Sequence, residues 1–186
     1  MSILPRSRPK ASRELVERVA RAMCGSELPP VYVLGVRGYY LRTMGDPARN
    51  DRGIYDDAMF VCGPSIFASY NANTDPSVIR KGIATLVPGV HLYRQGKHGL
   101  SRPGGGYPAF RPATRNEELP VTRDGVQGTS NGIAINIHRG SRTSTSSEGC
   151  QTIYPDQWAE FHGLLVHAMQ IAGVKTFPYI LTNGPI

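Results

Sequence analysis

The chain has 186 residues, enough for one domain with a sizeable core and too few for two of ordinary size. Lys and Arg outnumber Asp and Glu by 21 to 14, and residues 1–25 alone carry six basic against two acidic side chains, so the basicity belongs largely to one end. No apolar run approaches a membrane span or the core of a secretory signal, and three Cys at 24, 62 and 150, odd in number and without C-x-x-C spacing, do not make a disulfide framework.

From Ser12, an N-cap residue, the apolar positions Leu15, Val16, Val19, Ala20 and Met23 form one stripe, with Arg13, Glu17, Arg18 and Arg21 elsewhere around the helix. This predicts an amphipathic helix that packs on the core with a solvated basic face, or that serves as a basic arm drawn to an anionic surface such as the bacterial envelope or nucleic acid. Leu28-Pro29-Pro30 ends it. Residues 1–28 therefore read as a basic arm and helix, and residues 29–186 as a single domain.

Residues 31–41, VYVLGVRGYYL, are rich in β-branched and aromatic types and predict a strand with a Gly bend. Residues 45–53 follow as a polar loop over a cleft. Asp56 and Asp57 open a buried strand that runs to Cys62, and strand neighbours face opposite ways, so the two carboxylates read as structural rather than as one acid/base pair. Residues 67–76, FASYNANTDP, are expected to be turn-rich, and residues 82–93 to form one or two strands around Pro88-Gly89. The Gly/Pro segment 101–112 reads as irregular, a flap or a surface crossing. Residues 119–126 predict a strand and turn, with Pro120 marking an edge. Past Tyr154-Pro155, Trp158, Phe161, Leu164, Leu165, Ala168, Met169 and Ala172 recur at three and four, the strongest helical stripe in the chain. Gly173 stops it and residues 176–181 make a last strand.

The chemistry is expected in residues 132–154, GIAINIHRGSRTSTSSEGCQTIY. Alternating Ile133, Ile135 and Ile137 predict a strand that ends at His138, and a polar Gly/Ser/Thr/Arg loop returns the chain to Ser147-Glu148-Gly149-Cys150. A thiol beside an imidazole is a nucleophile with its base. Gly149, without a Cβ, can turn successive N–H groups toward one point, where they would hold an oxyanion. Cys24 and Cys62 lie in helix and strand patterns with no His nearby. Arg139 and Arg142, in the same loop, are candidates to bind a substrate carboxylate.

An Ile-rich strand ending in His, a Gly two residues on, and then Ser-x-Gly-Cys resembles the catalytic signature of L,D-transpeptidase domains of the YkuD type, and residues 82–98 are similar to that family's earlier strand segment. The resemblance implies that Cys150 is the nucleophile, His138 the base, Ser147 and Gly149 fixed residues of the Cys motif, and Arg139-Gly140 the place where a backbone carbonyl orients the His. Ser147, His91 and Tyr93 join Arg142 as candidates for substrate contact. Thr152 stands where the family usually has Arg, and the His-to-Cys loop is short. The form is similar to small phage lysins of the Cys-motif kind. The implied function is hydrolysis of peptidoglycan stem peptides through a Cys thioester with no cofactor, or transpeptidation. It would be carried out by a soluble protein without a signal peptide, held in a host cytoplasm until release or injected as an effector.

Two other chemistries compete. His91, His98, His138 and Cys150 are all zinc-ligand types, but none of them stand at the short separations that pre-form half a site. A basic nucleic-acid binder without catalysis would need exposed aromatics among its basic residues, and the Tyr residues sit mostly in strand patterns, which disfavours nucleic acid as a partner. The expected fold is mainly β (α+β), an L,D-transpeptidase-like β-sandwich or curled sheet with an N-terminal and a C-terminal helix packed outside.

Overall fold

The structure, a computed structural model, describes residues 2–25, 27–46, 50–101 and 103–186. Part of the expected 45–53 loop and one residue of the 101–112 segment fall outside them. The fold is mainly β with two helices. Eight strands close into a barrel in the order β1 (Tyr32–Arg37), β11 (Thr176–Asn183), β5 (Gly89–His98), β6 (Tyr107–Pro112), β9 (Ile137–Arg139), β10 (Gln151–Ile153), β3 (Ile66–Asn73) and β2 (Asp57–Gly63), while β4 (Ala84–Leu86), β7 (Glu118–Arg123) and β8 (Val126–Ile133) form a separate sheet. The expected curled sheet thus curls to closure, its shortest seam lying between β6 and β9.

Alternation along the strands decides what each face meets. Val33, Met59 and Val61 join Tyr93, Phe110, Phe177 and Tyr179 in one apolar cluster with Trp158, Phe161 and Leu165 of the helix α2 (Pro155–Ala172). Tyr32, Leu34, Phe60 and Cys62, pointing the other way, pack with Val16 and Ala20 of the helix α1 (Arg13–Cys24). Ser12 caps α1 as its sequence implied, accepting the Leu15 N–H at 3.3 Å, and Gly173 ends α2 in the left-handed conformation.

Four local expectations change. The segment 67–76 is not a turn-rich loop, since most of it is β3, hairpin-paired with β2 from Gly63↔Ile66 to Asp57↔Ala72. Asn71 is bonded from outside the strand: Gln157 accepts its N–H, and its Nδ2 donates to the Ser7 carbonyl. The end of the Gly/Pro segment is strand β6, in register with β5 from Tyr93↔Pro112 to His98↔Tyr107. Its far edge pairs at one position only, Phe110↔Ile137, so prolines lacking an N–H cost the ladder little. Finally, no strand runs through residues 133–137. Ala134 takes φ 55°, and the chain steps from the small sheet at β8 to the barrel at β9, leaving Ile133 exposed and Ile135 and Ile137 buried. Pro120, expected at an edge, lies in the middle strand of the small sheet but beyond the stretch that pairs with β4.

Candidate active site

Adjacent parallel strands bring the sequence-predicted pair together. β9 and β10 pair Gln151↔Ile137, Thr152↔His138 and Ile153↔Arg139, so His138 stands mid-strand and Cys150 enters the neighbouring one. The Cys150 sulfur and the nearest ring nitrogens of His138 and His98 all lie within 4.8 Å of one another. His98 ends β5, and its ring stacks on that of His138 with centroids 3.9 Å apart and planes 20° from parallel.

Nδ1 of His138 is 2.8 Å from the carbonyl oxygen of its own neighbour Arg139 and 3.0 Å from the hydroxyl of Tyr107, which also donates to that carbonyl at 3.3 Å. A lone pair on Nδ1 would face a carbonyl lone pair at close range. The arrangement therefore assigns the proton to Nδ1 and the basic lone pair to Nε2. The Arg139 carbonyl thus orients the imidazole as expected, while the Arg139 side chain lies over the Tyr107 ring at 5.3 Å.

The Cys loop is held by its hydroxyls. Ser147, buried, donates through Oγ to the Cys150 carbonyl at 2.7 Å and accepts the Gly149 N–H at 3.1 Å, and its own N–H reaches Ser77 Oγ at 2.7 Å. Two expectations are corrected here. Ser147 is fully engaged in shaping the turn and offers nothing to a substrate. The Gly149 N–H is consumed by Ser147, so among the described residues the Cys150 N–H is the member of that pair left without an acceptor in the protein. Gly149 remains obligatory for another reason: it sits at φ 129°, and a Cβ there would meet the Ala84 carbonyl oxygen at 2.7 Å. Gly140 lies where a Cβ would run into the Tyr55 hydroxyl, which holds the loop by donating to the Ser141 carbonyl at 2.8 Å.

The half-buried sulfur is set by residues 134–136. The Asn136 N–H donates to Sγ at 3.4 Å, and the thiol points to the Ala134 carbonyl at 3.7 Å. Burial pushes the thiol up to about 11, against the pull of the Asn136 N–H and of Arg111, so the resting group is a protonated thiol and not a preformed thiolate. The dipole of α2 does not compensate, because β10 places roughly 10 Å of extended chain between Cys150 and the helix.

The remaining expected residues lie apart from substrate reach or are already engaged. Tyr93 is fully buried, its hydroxyl donating to the Ile135 carbonyl at 2.6 Å. It fixes the segment that holds the sulfur and contacts no substrate. His91 is buried with Nε2 2.8 Å from the Val87 carbonyl, and burial lowers its basicity. Arg142 is exposed and ion-paired to Asp156 in the first turn of α2, so a protein carboxylate holds the place expected for a substrate's. Asp56 and Asp57 are both buried, and the Asp57 oxygens accept the Gly38 and Thr74 N–H groups, a structural role as read from the sequence.

Three contributors were not read as catalytic-site residues: Tyr107, Asn136 and His98. Tyr107 lay in a segment read as irregular and Asn136 within a strand that does not form, while His98 was considered only as a zinc ligand. A groove of about 160 Å³ is lined by His98, Tyr107, His138, Arg139, Gly140 and Ser146. A second of about 230 Å³, lined by Arg80, Arg123, Ile83, Ile135 and Glu148 among others, lies toward Gly149, whose α-carbon faces Ala84 and Ile135. Among the described residues no helix is long and apolar enough to cross a membrane. Compared with protein-family models, with curated proteins and with solved structures, the chain matches none.

Proposed function

We propose that the chain is a cysteine peptidase of the L,D-transpeptidase-like type that hydrolyses a peptide bond in bacterial peptidoglycan stem peptides. The observation that carries this reading is the meeting of Cys150 with His138, whose ring lines a groove, with the Nδ1 proton of His138 committed to the Arg139 carbonyl. That commitment leaves Nε2 as the base.

In the proposed sequence, substrate entering the groove displaces water, and Nε2 of His138 takes the Cys150 proton as sulfur attacks the carbonyl carbon. The Cys150 N–H donates to the developing oxyanion, and the imidazolium returns its proton to the departing amine. Water, deprotonated by the same Nε2, then releases the acid from the thioester. A thiol held neutral at rest suits a general-base step within the complex, because no reactive thiolate is exposed beforehand. Transpeptidation differs only in the acceptor, an amine in place of water. The basic side chains of the N-terminal segment support a place near an anionic envelope, with the chain kept inside a host cell until lysis or delivered as an effector.

Mass spectrometry of purified muropeptides incubated with the chain and with Cys150→Ala tests the proposal. New fragments gaining one water, absent with the variant, support hydrolysis; cross-linked products support transpeptidation; fragments equally formed by both proteins would refute it.

A further inference from the structure

We propose that His98, His138 and Cys150 together form a binding site for one borderline-soft divalent ion, Zn²⁺, and that filling it silences the nucleophile. The three ligand atoms come from three chain segments remote in sequence, the end of β5, the middle of β9 and the entry to β10, and lie within 4.8 Å of one another. Around tetrahedral Zn²⁺, with about 2.0 Å to imidazole nitrogen and about 2.3 Å to thiolate sulfur, neighbouring ligand atoms stand roughly 3.3–3.8 Å apart.

The second layer suits an ion as well. His138 turns Nδ1 to the Arg139 carbonyl and to Tyr107, the arrangement that presents Nε2 to a metal. Beside His98, the Asn136 side-chain amide is 3.1 Å from Nδ1. This residue is 2% exposed, and its Oδ1 has no hydrogen-bond partner. Turning that amide over lets Oδ1 accept a proton from Nδ1 of His98. Two imidazoles and a thiolate favour Zn²⁺ or Co²⁺ over Mg²⁺ or Ca²⁺, which require oxygen ligands. The groove lined by both His rings leaves room for a water as fourth ligand. On ligation the thiol proton passes to solvent and a sulfur–metal bond forms, so sulfur and the His138 base are occupied together. The silencing half of this inference rests on the proposed cysteine mechanism; the binding half does not.

Cobalt gives a readout independent of catalysis. Co²⁺ titrated into the metal-free chain should give a near-ultraviolet thiolate-to-cobalt charge-transfer band that is lost in Cys150→Ser, while His98→Ala should weaken Zn²⁺ binding, measured against a chromophoric chelator, by more than about a hundredfold. In the unaltered chain, Zn²⁺ should slow alkylation of Cys150 by iodoacetamide, read at the Cys150 peptide by mass spectrometry, and EDTA should restore it. No charge-transfer band, or a Zn²⁺ affinity indifferent to His98, overturns the site. Retained muropeptide cleavage at saturating Zn²⁺ overturns the silencing, and so does loss of cleavage on adding EDTA, which would make the ion a cofactor and refute the cysteine mechanism while leaving the site intact. A chain that binds Co²⁺ through Cys150 yet cleaves no muropeptide keeps the site and refutes the peptidase reading.

Discussion

The hydroxyl of Tyr107 lies 3.0 Å from Nδ1 of His138, and the same hydroxyl donates to the Arg139 carbonyl that the imidazole also addresses. Tyr107 belongs to β6 and His138 to β9, strands that pair at a single position, so this contact is a second tie between them. Tyr107→Phe keeps the ring beneath Arg139 and deletes the hydroxyl. The expected result is a fall of about 5- to 10-fold in kcat/KM for muropeptide cleavage, the size of one ordinary hydrogen bond, with fold stability nearly unchanged. Wild-type kinetics in the variant would remove Tyr107 from the site.

Burial pushes Cys150 up to about 11, so in the metal-free chain without substrate its alkylation rate should rise about tenfold per pH unit from pH 7 to 9 without levelling. The measurement is iodoacetamide labelling followed at the Cys150 peptide, with EDTA present. A plateau below pH 8 would mean that a thiolate–imidazolium pair already exists at rest.

Gly149 and Gly163 make opposite predictions. A methyl group at 149 meets the Ala84 carbonyl oxygen at 2.7 Å on a residue at φ 129°, so Gly149→Ala should cost about 2–4 kcal/mol. Gly163 lies inside α2 with nothing within 4 Å of an added Cβ, and Gly163→Ala should stabilise by about 0.5–1 kcal/mol through helix propensity. Urea unfolding of both variants decides the matter, and equal effects would contradict the geometry.

Below the barrel's polar loop, Asp56 is pushed up to about 9 by burial and then by the charge of Asp57, and Asp75 to about 8 for the same two reasons, with Arg37, Arg52 and Asn50 pulling Asp75 the other way. In the unfolded chain such carboxyls titrate near about 3.9, so between roughly pH 4 and 8 the folded state binds more protons than the unfolded one. Their contribution to stability is therefore present at low pH and lost as pH rises through 8. Thermal unfolding should give a higher Tm at pH 5 than at pH 8, and Asp75→Asn should flatten that slope. Below pH 4 the sign reverses, as Glu117 and Asp124, held below the usual carboxylate range by Arg111 and Arg52, take up protons. A Tm that climbs from pH 5 to 8 would contradict the burial of these acids.

The helices were legible in the amino-acid order because their signals are local: the Ser12 cap, the apolar stripe of α1, and the recurrence from Trp158 to Met169 closed by Gly173. So was the choice of position 150 as the candidate thiol, since it stands in a Gly/Ser loop while Cys24 and Cys62 sit in apolar patterns. What the order of residues could not reveal depends on partners remote in sequence. β3 and β6 are strands because β2 and β5 supply their hydrogen bonds, against their own Asn and Pro content. Tyr93 and Ser147 turned inward because the closed barrel needed their hydroxyls to satisfy buried backbone groups. His98, separated from His138 by 40 positions in the chain, came to lie 3.9 Å from it only through the closing of β5, β6 and β9 into one wall. Residue type and local spacing settled which groups were available for chemistry; which of them meet was settled by non-local strand pairing, which leaves no periodicity in the sequence.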